Sequence, residues 1–152
     1  MGDKKLTHKE LCDIAERWLR RTVGCGCAVS EMVSFASETP DAIGWKSGFS
    51  YLVEAKTSRS DFLADKKKHF RQRPELGMGM YRYFITEPGL IKPNELPERW
   101  GLLETTGNRV KVVHGLPAKS CDYKNQWNHE HSARSEMILL TSALRRAQEA
   151  RT

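Results

Sequence analysis

An apolar run that ends in an acid and a base, FSYLVEAK over Phe49–Lys56, sets the terms for the rest of this sequence. Its length and composition predict a strand, and in a strand alternate residues share a face. Glu54 and Lys56 therefore project together, while Val53 and Ala55 turn the other way. Tyr51-Leu52-Val53 just before them points to partial burial, where a charge is costly unless it is paired or holds something. A salt bridge or a site must account for the two charges.

The flanking segments place this strand third in a series. Thr7 to about Val23 carries Leu11, Ile14, Ala15, Trp18 and Leu19 at helical spacing, with Thr7 and Glu10 as a capping box and Gly24 as the stop. Cys27 to Ala36 then reads as a strand containing Glu31, and Asp41 to Trp45 as a short second one after Pro40. Lys46-Ser47-Gly48 supplies a hairpin turn. Ser58-Arg59-Ser60-Asp61 opens a second helix that runs until Pro74, and Tyr81–Thr86 is a further strand. WGLLET and RVKVV, joined through Thr106-Gly107-Asn108, predict a hairpin, and Ser132 to Glu149 a last helix facing inward through Met137, Leu140 and Leu144.

Asp41 lies across the predicted hairpin from Glu54, near enough to share one divalent cation with it. Carboxylate oxygens suit Mg²⁺ or Mn²⁺. Asp41 and Glu54, with the Ala55 carbonyl, would hold the ion against a phosphodiester, and Lys56 would position the attacking water.

The bulk numbers agree with a polyanion as partner. The chain has 25 Lys and Arg against 19 Asp and Glu, a formal charge of +6. Its 152 residues and 39% hydrophobic content suit one domain, 1–152, with a single core. No apolar run is long enough for a membrane span, and Met1 to Glu10 is polar, so a soluble cytoplasmic protein is expected. Four cysteines are too few for a disulfide scaffold. Cys25, Cys27, Cys121, His129 and His131 contain zinc-ligand chemistry but lack paired ligand spacing, which makes a zinc site the lesser reading.

Pro40-Asp41 followed by Glu54-Ala55-Lys56 resembles the P-D…(D/E)-x-K signature of restriction-endonuclease-like nucleases, and the order helix, three strands, helix, strand is similar too. More narrowly, VEAKTSRSDFLADKK, YRYFIT and LPERWGLLE resemble the small MmcB-like DNA-repair proteins of that superfamily, over about Val29 to Val113. The resemblance implies an α/β fold with a restriction-endonuclease-like core. A central mixed sheet flanked by helices in α-β-β-β-α-β order would be followed by a C-terminal hairpin and helix. It implies a metal-dependent deoxyribonuclease with Asp41, Glu54 and Lys56 as catalytic set, acting in repair, recombination or phage DNA processing, and it allows a homodimer. Relatives often supply another acid from the first helix or strand; Glu10, Glu16 and Glu31 compete for that place, and Glu31 is preferred because its strand flanks Asp41.

Ser58, Arg59, Lys66 and Lys67 follow the Glu-Ala-Lys strand directly and are the expected phosphate anchors. The plainer reading of the lysine run is a solvated helix face. Trp18, Trp45, Trp100, Tyr81 and Tyr83 are expected in the core, and Trp127 in a polar loop with Lys124, Asn125, His129 and His131. His69 and His114 have no identifiable partner. Two other classes stay open: an inactive nuclease-fold module binding DNA or a protein, and a partner-directed adaptor using the loop from Lys92 to Trp100.

Overall fold

A computed structural model describes residues 4–152; the first three residues of the polar N-terminal stretch lie outside it. Helix α1 (His8–Trp18) starts where Thr7 Oγ1 accepts the Glu10 N–H at 3.1 Å. It continues as a π-helical turn, Leu19–Val23, and stops at Gly24, whose φ of 90° only glycine adopts readily. The remaining helices are α2 (Arg59–Asp65), α3 (His69–Gln72) and α4 (Ala133–Glu149).

Six strands form one mixed sheet in simple chain order: β1 (Cys27–Ser30), β2 (Ala42–Lys46), β3 (Phe49–Ala55), β4 (Tyr81–Thr86), β5 (Trp100–Thr105) and β6 (Val110–His114). The first three are antiparallel, β3, β4 and β5 run parallel, and β6 folds back on β5. Ser47 and Gly48 make the two-residue β2–β3 turn, both with positive φ (53° and 82°), the geometry that matches strand twist. Parallel neighbours need long connections. Helices α2 and α3 supply the first, whereas β4 reaches β5 through an irregular segment with one short 3₁₀ turn, Pro93–Glu95.

The two faces of β3 lead into separate cores, as its alternation predicts. Tyr51, Val53 and Ala55 pack with Leu11, Ile14, Ala15 and Trp18 of α1. Leu52 packs on the other face with Phe62 of α2, Phe84, Trp100 and Leu139 of α4, where Phe84 and Trp100 stack at 4.3 Å. Glu54 and Lys56 continue that second face, both nearly buried. Among the described residues no helix is long and apolar enough to cross a membrane.

Three boundaries differ from the sequence reading. β1 ends at Ser30 instead of Ala36, because Glu31 adopts φ 49° and its N–H turns to the Asp41 carbonyl. The second helix breaks at Lys66–Lys68 instead of running to Pro74, where Asp65 and Arg71 are drawn into one ion network. In α4 the buried residues are Glu136, Leu139 and Ser142, while Met137 and Leu144 are exposed.

Candidate active site

The hairpin brings Asp41, the residue before β2, beside the end of β3, where its Oδ2 accepts the Ala55 N–H at 2.8 Å. This backbone donor fixes the carboxylate at the sheet end. The first residue of α1 closes the other side: His8 Nε2 lies 3.2 Å from Asp41 Oδ1, and its Nδ1 lies 3.6 Å from Glu31 Oε1. Glu31 thus reaches the site from a bend just past β1, with its side chain still 40% exposed.

Glu54 is held from beneath by Arg71, whose Nη2 donates to Oε1 at 2.7 Å. The same guanidinium donates to Glu38 at 3.2 Å and to Asp65 at 2.8 Å, so three buried carboxylates surround one cation. Burial, then the neighbouring Asp41 carboxylate within hydrogen-bonding reach, push the Glu54 carboxyl up to about 8. Burial likewise raises Glu38, against the pull of Arg71. Asp65 goes the other way: although burial opposes it, Arg71, Lys56 and Lys68 hold its carboxyl down at about 2.

Lys56 follows β3 by one residue, and its N–H still donates to the Ile85 carbonyl at 3.0 Å. Its ammonium donates to Asp65 Oδ1 at 2.9 Å, and Lys68 meets the same oxygen at 3.0 Å. A pocket of about 320 Å³ opens above these groups, lined by His8, Asp41, Ala55, Lys56, Asp65 and Lys68 among others. Asp41, Glu54 and Lys56 are therefore gathered at one end of the sheet, with an acid-rich corner at Asp41 and Glu54 and a cationic one at Lys56 and Lys68.

The donor set suits a hard cation. Two carboxylates within hydrogen-bonding reach of one another, one of them raised by burial and then by its neighbour, are what a dication relieves. His8, Cys12 and Asp41 also lie within ligand distance of one another, the one such trio of side chains among the described residues. Cys12 is fully buried, and burial pushes its thiol far above the usual range. Cys25, Cys27, Cys121, His129 and His131 do not form a ligand cluster among the described residues.

No family model matches the chain, and no curated protein matches it. A solved structure does. SPO1766, a protein of unknown function from Silicibacter pomeroyi, is 24% identical, covers 97% of this chain and 94% of its own, and superposes with a TM-score of 0.62. The likeness to SPO1766 is one of fold and carries no assignment of activity.

The expected phosphate anchors have diverse surroundings. Ser58 caps α2 by accepting the Asp61 N–H at 3.2 Å. Arg59 is engaged, donating to Glu95 at 2.7 and 3.1 Å and to the Leu90 carbonyl. Lys66 and Lys67 are exposed in the turn after α2. Sequence reading passed over His8, Glu38, Asp65 and Arg71. Asp65 and Arg71 were absorbed into one continuous helix, and Glu38 lay in a stretch read as a break; a charged residue facing an apolar surface was the available signal.

Proposed function

We propose that this chain is a Mg²⁺- or Mn²⁺-dependent nuclease of the restriction-endonuclease-like, PD-(D/E)xK kind, hydrolysing DNA phosphodiester bonds in repair, recombination or phage DNA processing. The observation that carries the reading is the meeting of the Asp41 and Glu54 carboxylates at the sheet end, with Lys56 two residues beyond Glu54 and a pocket above them. The order of helix, three antiparallel strands, helices and parallel strand supports the same class.

Asp41 and Glu54, with the Ala55 carbonyl, would hold the cation, with Glu31 contributing from the edge, and the ion would supply Lewis-acid polarisation of the phosphate. Everything else is arranged by the chain. The Ala55 N–H and His8 orient Asp41. Arg71 orients Glu54, and Asp65 aims the Lys56 ammonium, which orients the water and offsets charge as the phosphate is attacked. Lys66 and Lys67, with Ser58, meet the nucleic-acid backbone, while the Arg59 guanidinium is held by Glu95. The four free cysteines suit a reducing compartment, the cytoplasm. A homodimer pairing two sites would cut both strands.

A second reading has its own observation. Glu38, Glu54 and Asp65 all meet Arg71, and Lys56 meets Asp65, so much of the charge cluster is satisfied within the chain. That suits a nuclease-fold module that binds DNA or a protein without cutting. Calorimetric titration with Mn²⁺ separates the two: the nuclease binds the ion, and Asp41→Asn and Glu54→Gln each weaken binding about tenfold or more. A wild-type protein that takes up no Mn²⁺ selects the binding module.

A further inference from the structure

The β2–β3 strands carry a second cavity at their other end, by the hairpin turn. Along β3, Leu52 and Val53 separate Tyr51, which lines it, from Glu54 of the acid cluster, on the order of 10 Å of extended chain. Its volume is about 300 Å³, the lower bound for sites that take small organic ligands. Four of its eleven lining residues are aromatic. Tyr51 and Tyr81 pack with centroids 5.2 Å apart, Phe49 and Tyr81 at 6.1 Å, and Tyr123 lines the same space from the loop after β6. The two tyrosines at the floor are buried, yet Phe49 is 42% exposed and Tyr123 91% exposed.

Among the described residues five non-glycine residues have positive φ, and three of them line this cavity: Ser47 at 53°, Lys119 at 69° and Asn125 at 52°. Ser47 is required by the two-residue turn. Lys119 lies in the turn closed by the Ser120 N–H on the Pro117 carbonyl, and Asn125 closes the next with its N–H on the Asp122 carbonyl, so tight turns build this side of the cavity. The loop bearing them is tied down. Asp122 accepts the N–H groups of Gln126, Trp127 and Asn128, and the His129 N–H donates to the Met80 carbonyl at 2.7 Å. Lys46 and Lys119 bring two positive charges to the cavity against the one negative charge of Asp122.

We infer that this cavity binds a nucleobase that carries phosphate, either in a free nucleotide or at the end of a single strand. Phe49 and Tyr123 present faces on which a base stacks, a contact that every base can make. The Asn125 amide and Ser120 hydroxyl offer hydrogen bonds to the base edge, and the Lys119 ammonium meets the phosphate. The site is independent of the acid cluster and does not rest on the nuclease reading.

Calorimetric titration of the full chain in EDTA with AMP, CMP, adenosine, inorganic phosphate and a short oligothymidylate tests this. Saturable binding of a mononucleotide or of the oligonucleotide is expected, weakened about tenfold by Phe49→Ala and by Tyr123→Ala and restored by Phe49→Tyr. Lys119→Ala weakens AMP and leaves adenosine unchanged. Binding of the mononucleotides marks the free nucleotide as ligand, and binding of the oligonucleotide alone marks a strand end. The inference is overturned if neither saturates at millimolar concentration, if inorganic phosphate binds as well as AMP, or if both alanine variants bind like wild type while melting normally. DNA cleavage plays no part in these readouts, so a failed nuclease assay leaves them intact.

Discussion

Arg71 Nη2 donates to Glu54 Oε1 across 2.7 Å, and the two side chains keep only 4% and 3% of their surfaces exposed. The guanidinium also lies over the Trp100 ring, 4.8 Å from its centroid; burial opposes its charge, yet Glu54, Glu38 and Asp65 together hold it above its ordinary range. A buried cation shared by Glu38, Glu54 and Asp65 does more than neutralise them. It fixes which Glu54 oxygen points away from it, toward Asp41.

Arg71→Met leaves those carboxylates buried without their common partner. A loss of about 3–5 kcal/mol is expected, the usual cost of removing one member of a buried ion cluster. Denaturant unfolding measures it, and a loss below about 1 kcal/mol would mean that Lys56 and Lys68 already satisfy the group.

Glu54 makes stability fall as pH rises. Its carboxyl is raised from 4.5 to about 8, so between those values the folded chain holds a proton that the unfolded chain has released. Folding is favoured at the acid end of this window and loses that contribution as pH climbs through about 8. Glu54→Gln should flatten the decline in unfolding midpoint between about pH 5 and about pH 8. Mn²⁺ should raise the wild-type midpoint most at the alkaline end, where the ligand is ionised.

Alanine at Lys66 and Lys67 together should lower the salt dependence of DNA binding by about two, since each phosphate contact contributes roughly 0.9 to the slope. Arg59→Ala should leave the slope unchanged, because Glu95 already holds that guanidinium. Equal effects at Arg59 would show that the ion pair opens on DNA.

Gly101→Ala should destabilise by about 1–3 kcal/mol, the range for overpacking. A Cβ there would stand 2.5 Å from the Tyr83 ring, which is buried and held by its hydroxyl to the Leu116 carbonyl at 2.7 Å. A melting temperature like that of wild type would show that Tyr83 can move.

What the sequence disclosed follows from local rules. Period-two alternation put Glu54 and Lys56 on one face of β3, Ser47-Gly48 set the hairpin, and Gly24 ended the first helix. Long-range polar contacts decided the rest. Met137, Leu140 and Leu144 form a helical stripe, but α4 docks through Glu136, whose carboxylate accepts hydrogen bonds from Trp45 Nε1, Ser50 Oγ and the Gly79 N–H. Nothing local announces partners so far along the chain. Lys66–Lys68 reads as helix by composition, yet Asp65 serves Lys56, Lys68 and Arg71 at once, and the chain turns to bring them there. Glu31 reached the site by leaving its strand, with its N–H on the Asp41 carbonyl.

Asp41, Glu54 and Lys56 are proposed to cut DNA with a divalent cation. The direct measurement is cleavage of labelled single-stranded, duplex and branched DNA with Mg²⁺ or Mn²⁺ by wild type and by folded Asp41→Ala and Lys56→Ala proteins. Metal-dependent cutting that falls about a hundredfold or more in both variants is the expected result. Wild-type protein that cuts none of these substrates, or variants that cut as well as it does, would contradict the account.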